Sequence, residues 1–255
     1  MTATVDTGEL TDKVQRMYRA VATEPDAEYH FELGRPLAER LGYPAHVLDR
    51  IPAAAIESFA GVGYFFDLAQ LREGESVVDL GSGSGTDAFF AATQVGPAGR
   101  VVGVDFTAEQ LAKARRLAAE GGFGQTAFRA ARIEHVPAGD ESADCVISNG
   151  VLNLSPDKPQ VFAEAARVLR PGGRLAIADI VSERLLADSI VCDAELWASC
   201  IGGAAQQDAY LQAIELAGLR VEQLRENHYE FTSQRARNAS ADYGVKSVSL
   251  LARKE

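Results

Sequence analysis

The amino-acid sequence predicts an α/β protein: a mostly parallel, doubly wound sheet with an antiparallel edge strand, preceded by a helical segment. Three observations support this fold class. From about residue 75 onward, short and nearly all-apolar runs alternate with stretches of helical character. Parallel strands that are covered on both faces have this apolar composition. A glycine-rich turn stands between the first such run and the first helical stretch.

Five of the apolar runs are assigned as strands with helices between them. The predicted strands are residues 76–81, 100–105, 126–131, 143–148 and 174–181. Helices are predicted near residues 86–93, from a Thr107 cap through Leu117, and over residues 157–169 with Pro159 in the first turn. The RPGG run at residues 170–173 is expected to end the last of these helices.

The two ends of the chain depart from this rhythm. Residues 1–70 contain four prolines and are interpreted as an N-terminal helical cap segment, followed by the main domain at residues 71–255. A helical insertion near residues 183–210 interrupts the alternation on the side where a substrate would enter. The chain then closes with a predicted helix and two strands, at residues 208–217, 219–224 and 247–252.

Charge and hydropathy exclude several classes of partner. Acidic side chains outnumber basic ones 36 to 25, which gives a formal net charge of −11. Proteins that grip a phosphate backbone usually present a basic face, so nucleic acid is disfavoured as a partner. No apolar run approaches the length of a membrane span, and the N-terminus has no secretory pattern. We therefore expect a cytoplasmic protein that is not associated with a membrane; the sequence does not indicate its oligomeric state.

The cysteines and histidines do not form a recognisable metal or disulfide pattern. Cys145, Cys192 and Cys200 contain no CxxC pair, so reduced thiols are expected. The four histidines are scattered along the chain without paired spacing, so no metal site is predicted.

The sharpest motif is DLGSGSG at residues 79–85, which ends the first strand. Gly81, Gly83 and Gly85 allow a tight turn and a close approach of a ligand to the backbone and the helix N-terminus. The dinucleotide fingerprint GxGxxG is absent, because Thr86 and Ala88 stand where its third glycine would be. Asp105 ends the second strand, where an acid accepts hydrogen bonds from the ribose hydroxyls of an adenosine cofactor.

With these motifs the sequence resembles the class I S-adenosylmethionine (SAM)-dependent methyltransferases, whose fold is Rossmann-like. The resemblance implies SAM as the cofactor. It implies that the turn from Asp79 to Gly85 packs against the methionine part of SAM and that Asp105 holds the ribose. Ile133 and Glu134 would flank the adenine. Asn149 falls where that family contacts the amino-acid part of SAM.

A second resemblance concerns the acceptor. Residues 149–181 and 195–219 look like the arsenite methyltransferases, and residues 243–254 are similar to relatives of that group. In those enzymes cysteines at three places hold trivalent arsenic. Only Cys200 is present here, because Val62 and Gly150 stand at the other two places.

Three residues are assigned to the acceptor. Cys200 and Trp197 are three residues apart on a predicted helix and share one face. His30 lies in the N-terminal segment, which we expect to cover the cofactor pocket. Methyl transfer from a sulfonium is an in-line displacement, so the enzyme mainly aligns and desolvates the nucleophile, and no catalytic residue is assigned.

Several functions stay open from the sequence. One is methyl transfer to a small molecule with a soft centre such as arsenic(III) or a thiol. Another is C-, O- or N-methylation of a metabolite or natural product, and a third is SAM binding without catalysis. A NAD-dependent oxidoreductase is the remaining rival on the same fold, and the absent third glycine counts against it.

Overall fold

The computed structural model describes residues 6–193, 196–197 and 201–255. Residues 6–70 fold into short helices without a strand. Pro44 and Pro52 stand immediately before two of these helices, where the fixed φ of proline suits a helix start. The helices are α1 (Thr7–Thr23), α2 (Gly34–Leu41), α3 (Ala45–Leu48), α4 (Ala53–Glu57) and α5 (Phe66–Ala69).

The remainder of the chain is organised around one sheet of eight strands among the described residues. Its order is β3-β2-β1-β4-β5-β8-β7, and β6 pairs with the end of β5. The first five strands run parallel to one another. The strands are β1 (Ser76–Leu80), β2 (Arg100–Asp105), β3 (Thr126–Ala130), β4 (Ala143–Asn149), β5 (Leu169–Ser182), β6 (Ala205–Gln206), β7 (Leu219–Glu226) and β8 (Lys246–Lys254).

Helices cover both faces of the sheet, because alternate side chains of each strand are buried on opposite sides. The first two crossover helices pack on one face together with the N-terminal helices, and α8 and α10 pack on the other face. This arrangement confirms the predicted doubly wound fold. The helices after β1 are α6 (Thr86–Val95), α7 (Ala108–Glu120), the 3-10 turn Leu152–Leu154, α8 (Lys158–Val168), α9 (Asp188–Val191), α10 (Gln207–Leu216) and α11 (Gln234–Tyr243).

The sequence predicted the antiparallel strand at the edge of the sheet, but the structure has it one position inside the edge. β8 runs antiparallel to both of its neighbours, β5 and β7, so the edge strand itself is β7. The reason is burial: β8 is almost entirely buried, whereas most of β7 is exposed or half-buried. The more apolar strand takes the interior position, and a strand rich in charged side chains takes the open edge, where charge discourages pairing with other chains.

Three further details differ from the sequence prediction. The helix α11 between β7 and β8 was not predicted. β5 begins at Leu169, so the RPGG run lies inside an irregular start of the strand that pairs with Ala143. Thr107 stands at the N-cap position of α7, but its side chain caps no helical N–H and is hydrogen-bonded to Asp105.

The N-terminal helices and the sheet share one hydrophobic core. The ring of Tyr43 lies 5.1 Å from that of Phe59 and 5.4 Å from that of Phe90 on α6, measured between centroids. Arg174 on β5 adds a polar tie, because it pairs with Glu75 at 2.6 Å and donates to the backbone carbonyls of Ala69 and Gln70. Residues 6–70 are thus held against the sheet along their length. No helix within the described residues is long and apolar enough to cross a membrane.

Candidate functional site

The glycine turn connects β1 to α6 in five residues. The φ values of Gly81, Gly83 and Gly85 are +72°, +52° and +96°. Residues that carry a side chain rarely adopt these positive values. A Cβ atom on Gly85 would lie 2.8 Å from the Phe89 ring and 2.9 Å from the Phe128 ring. The turn is closely packed on its inner side, toward the rings of Phe89 and Phe128, and its backbone is open on the opposite, outer side.

Asp105, at the end of β2, is built into this turn. Its carboxylate accepts hydrogen bonds from the backbone N–H of Gly83 at 3.0 Å and of Thr107 at 2.8 Å. Burial raises the pKa of Asp105, and these N–H donors oppose that rise. Asp105 is among the residues that line the pocket described next.

A pocket opens above the turn, at the carboxyl ends of the parallel strands, where ligands bind in open α/β sheets. It holds about 1050 Å³ of space free of protein atoms, including its open mouth. The floor consists of the glycine turn, Asp79 and Asp105. The roof is α1, which contributes Leu10, Thr11, Val14 and Tyr18.

The roof is fastened to the floor by side chains of α7. Gln110 donates to the backbone carbonyl of Tyr18 at 2.9 Å and accepts from the hydroxyl of Ser84 in the glycine turn at 2.5 Å. Lys113 donates to the carbonyl of Ala22 at 3.2 Å and to Ser58 at 2.8 Å. These bonds hold α1 of the N-terminal segment beside the pocket that it lines.

One end of the pocket is acidic. Asp79 and Asp87 are 2% and 7% exposed, and both line it. Burial raises the pKa of Asp87 to about 6, and burial together with the charges of Asp87 and Asp105 raises the pKa of Asp79 well above its ordinary value. Oδ2 of Asp79 is buried without a hydrogen-bond partner among the described residues.

Asn149, at the end of β4, joins the N-terminal segment to this acidic end. Its Nδ2 donates to the Tyr43 hydroxyl at 3.0 Å, to the Gly63 carbonyl at 3.0 Å and to Asp87 at 3.2 Å. Its Oδ1 accepts from the N–H of Val62 at 2.7 Å. The side-chain amide is thus occupied by protein groups, which leaves the backbone of Asn149 for the predicted cofactor contact.

The opposite end of the pocket suits a flat apolar ring with polar edges. Ile133 and Glu134 follow β3 and line this end together with Phe106. Arg132 pairs with Glu134 at 3.3 Å, and its guanidinium lies 5.8 Å from the centroid of the Phe106 ring. Glu134 also accepts from the hydroxyl of Ser155 at 2.5 Å. The residues predicted for the adenine are therefore brought together.

The predicted SAM fits the groups that line the pocket. The carboxylate of Asp105 suits the two ribose hydroxyls, and the ring of Phe106 with Ile133 suits the adenine. The unpartnered oxygen of Asp79 suits the α-ammonium group of the methionine part. Within the described residues, no group of three or more His, Cys, Asp or Glu side chains could hold a metal ion.

The acceptor residues predicted from the sequence lie in different places. Cys200 lies outside the described residues. Trp197 is 6% exposed and packs with Leu10, Val14 and Leu154 behind the pocket wall rather than lining the pocket. Its indole N–H donates to the carbonyl of Val191 at 2.5 Å. This tryptophan supports the wall that the acceptor would meet.

His30 is not among the residues that line the pocket. Its ring packs edge-on against Phe31 at 4.9 Å between centroids, and its backbone carbonyl accepts from the Thr232 hydroxyl at 2.5 Å. The described contacts therefore join the N-terminal segment to the segment before α11. In the sequence, a single histidine among aromatic residues looks the same whether it packs against a neighbouring ring or contacts a substrate.

The two positions at which the resemblance to the arsenite methyltransferases implies cysteine, Val62 and Gly150, lie side by side. A Cβ atom on Gly150 would lie 3.1 Å from Cγ1 of Val62. Gly150 has a φ of +69°, so a side chain there would be strained. Cys145 is a buried core residue, and this burial raises the pKa of its thiol to about 12. Cys192 is exposed and does not line the pocket.

Sequence reasoning missed Asp87, Tyr43 and Phe106. Asp87 and Phe106 directly follow the two recognised motifs by one or two residues, so their proximity to the motifs was an available signal. Tyr43 is 44 residues from Asp87, and no local pattern connects them.

Comparison with known proteins gives consistent results. A family model described as a methyltransferase domain matches residues 71–218. An arsenite methyltransferase from Halobacterium salinarum is 39% identical over 214 residues, which are 83% of this chain and 54% of that protein. One from Aquipseudomonas alcaligenes is 46% identical over 141 residues, which are 52% of this chain and 41% of that protein. The chain thus spans about half the length of the curated relatives it matches.

Solved structures agree with this grouping. The crystal structure of an arsenic(III) SAM methyltransferase from Chlamydomonas reinhardtii is 30% identical with a TM-score of 0.64, covering 87% of this chain and 74% of that one. A geranyl diphosphate C-methyltransferase from Streptomyces coelicolor is 17% identical with a TM-score of 0.70, covering 98% and 100%. The second likeness concerns the fold alone.

We predict that Asp105→Ala weakens SAM binding by about 1.5–3 kcal/mol, the usual loss for hydrogen bonds to a charged group. Isothermal titration calorimetry measures this directly. The matched control is Asp144→Ala, because Asp144 is also buried and accepts from a backbone N–H, that of Ser76 at 2.7 Å, but does not line the pocket.

The control variant should lose stability and keep its SAM affinity. Equal SAM affinity in wild type and Asp105→Ala, with both folded by circular dichroism, would remove Asp105 from the site. Binding of NAD with an affinity like that of SAM would favour the rival cofactor.

Proposed function

The chain belongs to the SAM-dependent methyltransferases, and from that premise we propose that it methylates an uncharged, apolar small molecule rather than free arsenite. The proposal concerns the acceptor, and it rests on the composition of the pocket wall beyond the cofactor residues. Besides the polar side chains of Thr11, Tyr18 and Ser58, this wall contains five apolar ones, those of Leu10, Val14, Phe59, Val151 and Leu154.

The observation that carries the proposal is the pair of positions 62 and 150. Val62 and Gly150 stand at the two positions where the resemblance to the arsenite methyltransferases implies thiols. Gly150 lines the pocket, and Val62 is buried beside it, with its Cγ1 3.1 Å from a Cβ atom placed on Gly150. Thiolates are the ligands that soft ions prefer, and two or three in one place give a chelate. Without them the wall favours an acceptor held by apolar contact.

The charges in the pocket argue against an anionic acceptor. Among the described lining residues Arg132 carries the one positive charge, and it is engaged by Glu134. The carboxylates of Asp79, Asp87 and Asp105 face the same space. A phosphate or carboxylate on the acceptor would lose hydration without gaining a cationic partner.

The reaction needs alignment more than proton transfer. Bound SAM supplies an electrophilic methyl group on its sulfonium. That methyl group would pass to a nucleophilic atom of the acceptor, with the carbon–sulfur bonding pair left on sulfur and any proton on that atom released to the buffer. The chain contributes by fixing SAM against the glycine turn and by closing α1 over the pocket, which excludes water from the reacting atoms.

A second candidate is methylation of a soft acceptor held by Cys200. The 39% identity to an arsenite methyltransferase favours it. A single protein thiolate supplies only one ligand and cannot chelate a soft acceptor. Such an acceptor would therefore arrive already bound to a small thiol such as glutathione.

Formation of S-adenosylhomocysteine (SAH) over a panel of acceptors tests the proposal. The panel contains apolar phenols, thiols and amines, each paired with an analogue that carries an added carboxylate, and arsenite with and without glutathione. We expect turnover with apolar members, at least tenfold slower turnover with their carboxylated partners, and poor turnover with arsenite alone. Efficient methylation of free arsenite would contradict the proposal.

The same assay has a matched pair of variants on α1. Val14→Asp places a charge on the face that lines the pocket and should lower turnover more than tenfold, whereas Arg16→Ala changes an exposed side chain of the same helix and should not. Point variants are preferable to removing residues 1–59, because that segment contributes buried residues such as Leu37 and Tyr43 to the core.

Restoring the two thiols tests the role of positions 62 and 150. We expect the double variant Val62→Cys/Gly150→Cys to bind arsenite at least tenfold more tightly than wild type, because a second ligand acts at high effective concentration once the first is attached. Binding is measured by calorimetry.

The control is Val62→Ser/Gly150→Ser, which carries the same backbone strain at residue 150 without the thiols. Equal arsenite affinity in the two double variants would show that these positions cannot chelate. In the wild-type background, loss of turnover in Cys200→Ser would favour the soft-acceptor candidate, and full turnover would exclude it.

A further inference from the structure

We propose that the carboxylate pair of Asp79 and Asp87, oriented by Tyr43, holds one shared proton in the free enzyme and releases it when the α-ammonium group of the cofactor binds. The inference rests on the proposed use of SAM and concerns a step that precedes methyl transfer. It makes Asp87 and Tyr43 positioning residues for the methionine end of the cofactor.

The pair has negative charge without a cationic partner. Asp79 ends β1, Asp87 lies in the first turn of α6, and both face the pocket. Among the described residues that line the pocket, Arg132 is the one arginine, lysine or histidine. The basic side chain of the pocket, Arg132, lies at the adenine end and pairs with Glu134.

Two nearby carboxylates in a buried site do not both ionise unless a cation joins them. Burial is the largest cause of the raised pKa at each group, and the charge of Asp87 raises the pKa of Asp79 further. The charge of Asp105 on β2 acts on Asp79 in the same direction. The pair therefore retains a proton in the free enzyme to a higher pH than an isolated carboxyl group does.

Hydrogen bonds decide which member of the pair is ionised. The hydroxyl of Tyr43 donates to Oδ1 of Asp87 at 2.5 Å, and Nδ2 of Asn149 donates to its Oδ2 at 3.2 Å. Both bonds favour the charged form of Asp87 and lower its pKa. Asp79 has the backbone N–H of Ala88 as a donor and an unpartnered Oδ2. The shared proton is thus placed on Asp79.

Tyr43 is held rigidly in this role. Its ring is 2% exposed and makes edge contacts with Phe59, Tyr64 and Phe90 at centroid distances of 5.1, 5.0 and 5.4 Å. Its own pKa is raised, first by burial and then by the charge of Asp87, so it remains a hydroxyl donor. Phenylalanine can replace it without loss of these ring contacts.

An arriving ammonium group supplies the missing positive charge and donates to the free oxygen of Asp79. The bound state then favours two ionised carboxylates, and the pKa of the pair falls. A group whose pKa falls on binding releases its proton, so affinity rises with pH while the free pair is protonated and levels off above that range. For one proton the change is about tenfold per pH unit.

Isothermal titration calorimetry at pH 6.5 in two buffers of different ionisation enthalpy counts the protons. The ligands are SAH, which carries the α-ammonium group, and 5′-methylthioadenosine, which lacks the amino-acid part. At this pH the amino group of SAH is itself protonated, because α-amino groups titrate at about 7.7–8.0. We expect close to one proton released with SAH and none with 5′-methylthioadenosine.

Variants distinguish proton release by the Asp79–Asp87 pair from general effects of a substitution on the fold. Asp79→Asn should bind SAH without proton release and with affinity nearly independent of pH from 5.5 to 7.5. Tyr43→Phe should shift the midpoint of the pH profile upward, because the ionised pair loses a hydrogen-bond donor. It should keep the limiting affinity at high pH, because there the pair is ionised in both the free and the bound state. Tyr210→Phe removes a similar buried bond, to Asp179 at 2.8 Å, outside the pocket and should leave the profile unchanged.

The outcomes distinguish this inference from the proposed function. SAH binding by wild type without proton release, or an unshifted midpoint in Tyr43→Phe, overturns the inference and leaves the methyltransferase proposal intact. Absence of SAH binding at any pH overturns both.

Discussion

The turn between β1 and α6 leaves no room for side chains on its inner side, and the geometry of the site depends on it. Gly85 packs against Phe89 and Phe128, and the backbone of Gly81 and Ser82 donates to Val104 at the end of β2. The carboxylate of Asp105 then accepts from the N–H of Gly83. Two neighbouring strand ends are thereby locked together, and their polar groups face the same pocket.

The N-terminal helices complete the pocket at the end of the sheet. Their rings share the core beneath α6, the amide of Asn149 ties residues 62 and 63 to the sheet, and Gln110 ties α1 to the turn. The position of α1 as a roof is set by α7, because Gln110 and Lys113 donate to the carbonyls of Tyr18 and Ala22 on α1. A sheet with the glycine turn alone would leave the cofactor and the acceptor open to water.

Local patterns predicted most of the fold and part of the site. The strands, their crossover helices and the motif from Asp79 to Gly85 follow from apolar periodicity and glycine spacing, which are short-range features. The network of Asp87, Tyr43 and Asn149 does not, because its hydrogen bonds join residues 44, 62 and 106 positions apart. The place of β8 inside the sheet depends on the relative burial of two strands, which neither strand reveals alone.

Amide hydrogen exchange with and without SAH tests the central claim most directly, that one pocket is closed between the glycine turn and α1. Bound SAH should slow exchange at residues 81–85 and 105–107 and across residues 10–18 of α1, while the edge strand β7 exchanges as before. Protection confined to the turn, with α1 unchanged, would contradict the account of α1 as the roof. Protection at neither place would contradict the site itself.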